Sequence, residues 1–150
     1  MAKDNKTLHL VLKRKWWDMI ASGVKREEYR EVTLYWAKRL FDTSLRQYLK
    51  RNDIVNWYIT DNKYLGDLVS WLCLMIKQKD IVFRNFENVC FHLGYTNTTM
   101  TFKINEIVIG KGRGYWGAEP NKYYFVIKLG ERIGNGTDKA RQETHTGEGA

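Results

Sequence analysis

Four residues in one short stretch carry the chemistry this sequence offers most plainly: Gly23, Lys25, Glu28 and Arg30, spaced Gly-x-Lys-x-x-Glu-x-Arg. A glycine suits the left-handed residue that closes a helix, and residues 25–31 behind it read as a strand dense in charge. Side chains two apart on a strand share a face. Arg26, Glu28 and Arg30 are therefore expected to project together, with Lys25 reaching them from the turn. Neighbouring cations favour the charged form of a carboxylate, which suits orienting guanidinium groups toward an anion or a base edge rather than donating a proton. Lys15 adds a cation just upstream, and Trp17 and Trp116 are aromatics that could stack on a base. The plainer alternative is a solvated strand face whose ion pairs contribute about 0–1 kcal/mol each. Trp17 can equally line a pocket or pack inward.

Other candidate chemistry is thinner. Gly-Lys-Gly-Arg-Gly at 110–114 has glycines and the cations Lys111 and Arg113, but lacks the full P-loop pattern and a helix behind it. It reads either as a set of phosphate contacts or as a hairpin-like connection. No Ser/His/Asp arrangement or His/Glu metal spacing is defensible. Cys90 and His92, two apart on a strand, are too little for a zinc site, and His9 alternates with apolar neighbours as a structural histidine does. Neither a metal nor a cofactor is expected.

A short helix carrying Trp16-Trp17, followed by Gly23, Lys25, Glu28 and Arg30 near the N-terminus and by a β-rich C-terminal half, resembles the ASCH domain of the PUA-like superfamily. The resemblance covers about residues 7–133, with a middle at about 42–80 that departs from it. It implies an α+β fold, a small PUA-like β-barrel of about five to six strands with flanking helices. It also implies an RNA or modified nucleoside/nucleotide ligand held by Lys15, Trp17, Lys25, Arg26, Glu28, Arg30 and Trp116. Some small ASCH proteins resemble acetylcytidine amidohydrolases that use a lysine and a threonine of the motif with a distant glutamate, and nuclease activity is also associated with relatives. Lys25 matches the lysine, yet Glu28 stands where the threonine nucleophile would be. If the chain is a hydrolase, Lys25 and Glu28 are its catalytic candidates, and Glu106 or Glu119 is the distant carboxylate. The missing nucleophile argues for binding over catalysis.

Composition bounds these readings. The 150 residues carry a net charge of +8. Residues 1–51 hold 13 Lys/Arg against 6 Asp/Glu, whereas residues 131–150 hold 3 against 4. A basic excess concentrated in the N-terminal third points to a phosphate-bearing partner. Residues 1–6 lack the apolar core of an export signal, and the longest apolar run, Leu68–Ile76, is too short to span a bilayer. A cytoplasmic protein without membrane contact is expected, with Cys73 and Cys90 as buried free thiols.

The elements that must position the motif follow from periodicity. Residues 7–13 read as the first, central strand and 14–22 as a short helix with Trp16 and Ile20 on its buried stripe. Thr33 is placed to cap a helix over about 34–42, and Ser44 a following turn. Ile54–Ile59 reads as strand or helix. Tyr64–Lys77 reads as a helix apolar nearly all round, either deeply buried or meeting a partner, which leaves a monomer, a weak homodimer or a protein-binding adaptor open. Period two then takes over: Ile81–Phe83, Val89–Leu93, Met100–Ile104, Ile107–Ile109, and Tyr123–Leu129 ended by Gly130. One domain is expected over residues 1–133 and a disordered tail over 134–150.

Overall fold

Apolar residues at every second position (Leu8, Leu10 and Leu12, then Val89 and Phe91, then Met100 and Phe102) are all buried in the computed structural model, which describes residues 6–52 and 65–134. The elements run β1 (Thr7–Leu12), α1 (Arg14–Ala21), β2 (Glu27–Glu31), α2 (Leu34–Leu40), α3 (Thr43–Arg51), α4 (Leu65–Lys77), β3 (Asn88–Leu93), β4 (Thr99–Lys111), a 3-10 turn (Gly114–Trp116) and β5 (Tyr123–Ile133). The chain is α+β, and its strands form one five-stranded sheet ordered β1-β3-β4-β5-β2. No helix among the described residues is long and apolar enough to cross a membrane. The expected element at Ile54–Ile59, Tyr64, and the expected tail beyond residue 134 lie outside the described residues.

The chain divides into two compact units. The first comprises residues 1–28, 85–106 and 127–150. In it β1 pairs in parallel with β3, from Thr7 opposite Asn88 to Leu12 opposite Leu93. β3 pairs antiparallel with β4, with Val89 opposite Phe102 and Phe91 opposite Met100. Helix α1 packs on β1 and β3. β1 is an edge strand and not the expected central one, because a row of buried leucines reports a covered face and says nothing about how many neighbours a strand has. β5 continues through Gly130 to Ile133, where the sequence predicts a stop. The amide of Asn105 donates to Leu129 O beside that glycine, and the strand runs on.

The second unit comprises residues 29–84 and 107–126. Phe41 stacks on Phe83 with ring centroids 4.3 Å apart, and both meet the edge of Phe125, at 6.0 and 6.2 Å. The Ile81–Phe83 strand is reduced to one bridge, Phe41 to Phe83, held by Asp42 N donating to Val82 O and Arg84 N donating to Leu40 O. Thr33 Oγ1 caps α2 as expected, accepting from Trp36 N at 3.2 Å. α3 starts a residue before Ser44 because Asp42 is its cap: the carboxylate accepts from Ser44 N at 2.8 Å, and Ser44 Oγ accepts from Val82 N. On α4, Leu68, Leu72 and Met75 are buried at a spacing of four and three, while Cys73 and Leu74 are exposed. The helix is thus one-sided, and the expectation of burial all round is corrected. Cys90, half-buried on β3, is not a core thiol either.

The Gly110–Gly114 stretch resolves toward the connection reading. Gly110 and Lys111 end β4, and Gly112 lies beneath the ring of Tyr29, whose hydroxyl accepts from Arg113 N at 3.0 Å. A Cβ at Gly112 would stand 2.6 Å from Tyr29 Cζ and 2.7 Å from Ala118 Cβ, whereas one at Gly114 would meet nothing within 4 Å. Gly112→Ala is therefore expected to cost about 1–3 kcal/mol through overpacking, and Gly114→Ala to stay within about 0.5 kcal/mol of the parent. Urea denaturation of the two variants measures the difference, and equal midpoints would contradict a tyrosine-packed corner.

Candidate binding cleft at the Gly23–Glu28 corner

Helix α1 ends because Ser22 N donates to Asp18 O and Gly23 N to Ile20 O, with Gly23 at φ +86°. That left-handed geometry costs a residue with a Cβ roughly 1–2 kcal/mol. The chain then doubles back so that Lys25 N donates to Met19 O at 2.9 Å. This fold-back turns the Lys25 side chain inward. Its ammonium donates to Glu28 Oε1 at 2.7 Å and to the carbonyl of Glu27. Lys25 is 1 % exposed and Glu28 7 %. They form a buried, hydrogen-bonded ion pair at the start of β2, stabilised further by the face of Trp16, whose centroid lies 5.5 Å from Lys25 Nζ.

The expected face of Arg26, Glu28 and Arg30 divides. Arg26 is exposed, Glu28 is buried and Arg30 is half-buried, its guanidinium 5.2 Å from the ring of Trp36. The expected roles of the two adjacent tryptophans are exchanged. Trp17 and Ile20 form the buried face of α1, so Trp17 packs in the core. Trp16 is half-exposed, with Lys15 Nζ 4.6 Å from its centroid. Spacings of three and four both bring side chains onto one helical face, and the sequence alone did not choose between them.

Beside the corner is a cleft of about 250 Å³, lined among others by Gly23, Lys25, Arg26, Phe102, Leu129 and Arg132. Arg132 lies 6.0 Å over the ring of Phe102, and Leu129 N donates to Arg26 O at 3.0 Å, tying β5 to the entry of β2. Arg132 had no signal in the sequence, since it falls beyond the predicted end of its strand. Arg26 and Arg132 bring two guanidinium groups to this cleft, and Glu131 lines it with them as the one carboxylate among the described lining residues.

The second unit has a cleft of about 360 Å³ lined by Glu31, Val32, Val69, Ser70, Asn121, Lys122 and Tyr123. In this larger cleft the cation Lys122 is paired with Glu31 at 2.9 Å and Glu119 at 3.4 Å. The hydrogen bond that Lys122 donates to Glu31 holds its ammonium above the ordinary lysine pKa. Of the candidate distant carboxylates, Glu119 is thus engaged with Lys122, and Glu106 pairs with Lys128 at 3.7 Å. Neither lines the cleft at Gly23. Trp116 is half-buried in the 3-10 turn of the second unit, with the Arg113 guanidinium 5.0 Å from its centroid.

The strand register also assembles a group that sequence spacing did not reveal. His9 Nδ1 lies 3.0 Å from His92 Nε2, and Cys90 Sγ lies 3.8 Å from the same nitrogen. Partial burial, then the neighbouring His9, hold His92 below the ordinary histidine pKa.

No family model matches the chain, and neither the curated proteins nor the solved structures compared with it include a match.

Removing one partner of a buried ion pair leaves an uncompensated charge and typically costs about 3–5 kcal/mol, whereas replacing both by apolar residues is often neutral. Lys25→Met and Glu28→Gln are each expected to lose stability on that scale, and Lys25→Met with Glu28→Leu to recover most of it. Chemical denaturation of the three variants tests this. Single variants that unfold at the parent midpoint would show that the pair does not hold the corner.

Proposed function

We propose that this chain is an ASCH-like, PUA-like module that binds RNA or a modified nucleoside or nucleotide in the cleft at the Gly23–Glu28 corner, as a cytoplasmic protein. One observation carries the reading: motif residues Gly23 and Lys25, with Arg26 beside them, line one cleft with Phe102 and Arg132, while Glu28 and Arg30 lie outside its lining. Planar guanidinium groups recognise phosphate bidentately, and Phe102, buried beneath Arg132, forms part of the apolar floor of the cleft. In this reading Arg26 and Arg132 meet the ligand. Lys25 and Glu28 hold the corner from inside, and Lys15 contributes positive potential at the exposed end of α1.

The hydrolase alternative draws less support from the same geometry. A catalytic group must touch the substrate, and Lys25 is enclosed with its ammonium committed to Glu28 and Glu27. The adaptor alternative rests on α4, where Leu74 and Cys73 face outward beside a buried stripe, and no feature there specifies a partner.

Binding through phosphates depends on salt because neutralised phosphates release counterions, with a slope of about −0.7 per phosphate for single strands. Fluorescence anisotropy with a short labelled single-stranded RNA is expected to give a falling log K against log salt. In the Arg26→Ala, Arg132→Ala double variant the slope should be shallower by about 1.4, with Lys111→Ala unchanged as a control. An affinity flat across salt, or indifferent to the double variant, would refute the assignment.

A further inference from the structure

We infer that His9, Cys90 and His92 form a binding site for a borderline-soft divalent metal ion of the Zn²⁺ type on the outer face of the β1–β3 pair. Parallel register sets His9 beside Cys90 and Val11 beside His92. Neighbours across a pair share a face, and so do residues two apart on a strand. His9, Cys90 and His92 therefore leave the sheet on one side, opposite buried Leu8, Leu10, Val89 and Phe91.

The donor geometry fits a metal. One ligand atom from each of the three residues lies within 4.8 Å of the other two. Zinc binds imidazole nitrogen at about 2.0–2.1 Å and thiolate sulfur at about 2.3 Å in a tetrahedron. Such a tetrahedron separates two nitrogens by about 3.3 Å and a nitrogen from a sulfur by about 3.6 Å. The corresponding separations here are 3.0 Å for His9 Nδ1 to His92 Nε2 and 3.8 Å for Cys90 Sγ to His92 Nε2. The third separation, Cys90 to His9, is within 4.8 Å, so side-chain rotation that closes it by at most about 1.2 Å completes the tetrahedral face. The imidazoles are tilted by 47° rather than stacked, with centroids 5.2 Å apart, so both can aim at a common point.

The donor set selects the ion. Two imidazoles and a thiolate suit zinc and its neighbours, while magnesium and calcium want oxygen. His9 is exposed and Cys90 and His92 are half-buried, so three protein ligands leave a fourth position for water or an incoming ligand. The metal would also cross-link edge strand β1 to β3. Binding needs the thiolate and neutral imidazoles, so it releases the Cys90 thiol proton to solvent.

The test titrates the full-length chain, kept reduced, with Co²⁺ alone and then displaces it with Zn²⁺. One Co²⁺ per chain is expected, with a thiolate-to-cobalt charge-transfer band, tetrahedral visible absorption, and loss of both on adding Zn²⁺. Cys90→Ser should abolish the charge-transfer band, and His9→Ala and His92→Ala should each weaken binding by about 100-fold. Cys73→Ser should leave it unchanged. His9 is exposed, so its variant should fold, as far-ultraviolet circular dichroism will verify. Absence of the thiolate band in the parent chain, its persistence in Cys90→Ser, or its loss in Cys73→Ser would overturn the site.

Discussion

The Gly23–Glu28 corner depends on a lysine ammonium and a carboxylate held out of water against each other. Desolvating two such charges costs several kcal/mol each even after relaxation, and their attraction offsets this only when the geometry is good and hydrogen bonds satisfy what remains. The corner supplies those conditions. Gly23 permits the left-handed turn, Lys25 N reaches back to Met19 O, and the Glu27 carbonyl takes a second ammonium proton. The sequence separation of three between Lys25 and Glu28 is therefore a folding constraint on where α1 must stop and β2 must begin. A displacement of either end would leave a buried charge without its partner.

That constraint reassigns the motif. Charged residues at strand spacing invite a reading in which all of them face a ligand, but an inward Lys25 and Glu28 leave recognition to the groups whose heads are not enclosed. Arg26 follows the buried lysine directly, and Arg132 comes from the far end of β5, where it lies over Phe102. In the proposed reading the rim is built from Arg26, inside the motif stretch, and one residue about a hundred positions away. Under the proposed reading, positioning and recognition fall to different side chains, and a substitution in the motif would weaken binding without touching a ligand.

Much of the fold was legible because its signals are local. The Thr33 cap, the helix stop at Gly23 and the alternation along β3 and β4 each need only a few consecutive residues, and each appears where expected. The errors have a common source in information that neighbouring residues do not hold. β1 looked central because its leucines are buried, yet neighbour count is a property of the sheet. Gly130 looked like a terminator, yet a glycine inside a paired strand only weakens it. Trp16 and Trp17 differ by 100° around a helix, and their relative burial depends on which strand face α1 covers. α4 looked apolar all round because Cys73 and Leu74 count as apolar in a sequence and as surface in the structure.

The same limit explains why the two candidate sites differed so much in visibility. The Gly23–Glu28 corner is contiguous, so its composition announces it, although the announced roles were partly misplaced. The His9, Cys90, His92 group is separated by some eighty residues and exists only because β1 runs parallel to β3. A shift of one residue would turn His9 to the face of Val89 and Phe91, away from Cys90 and His92, since strand side chains alternate with period two. Burial fixes that register: Leu8, Leu10 and Leu12 must face the same side as Val89 and Phe91. The hydrophobic residues thus determine the position of the metal-ligating ones, and a site with no motif of its own follows from the core.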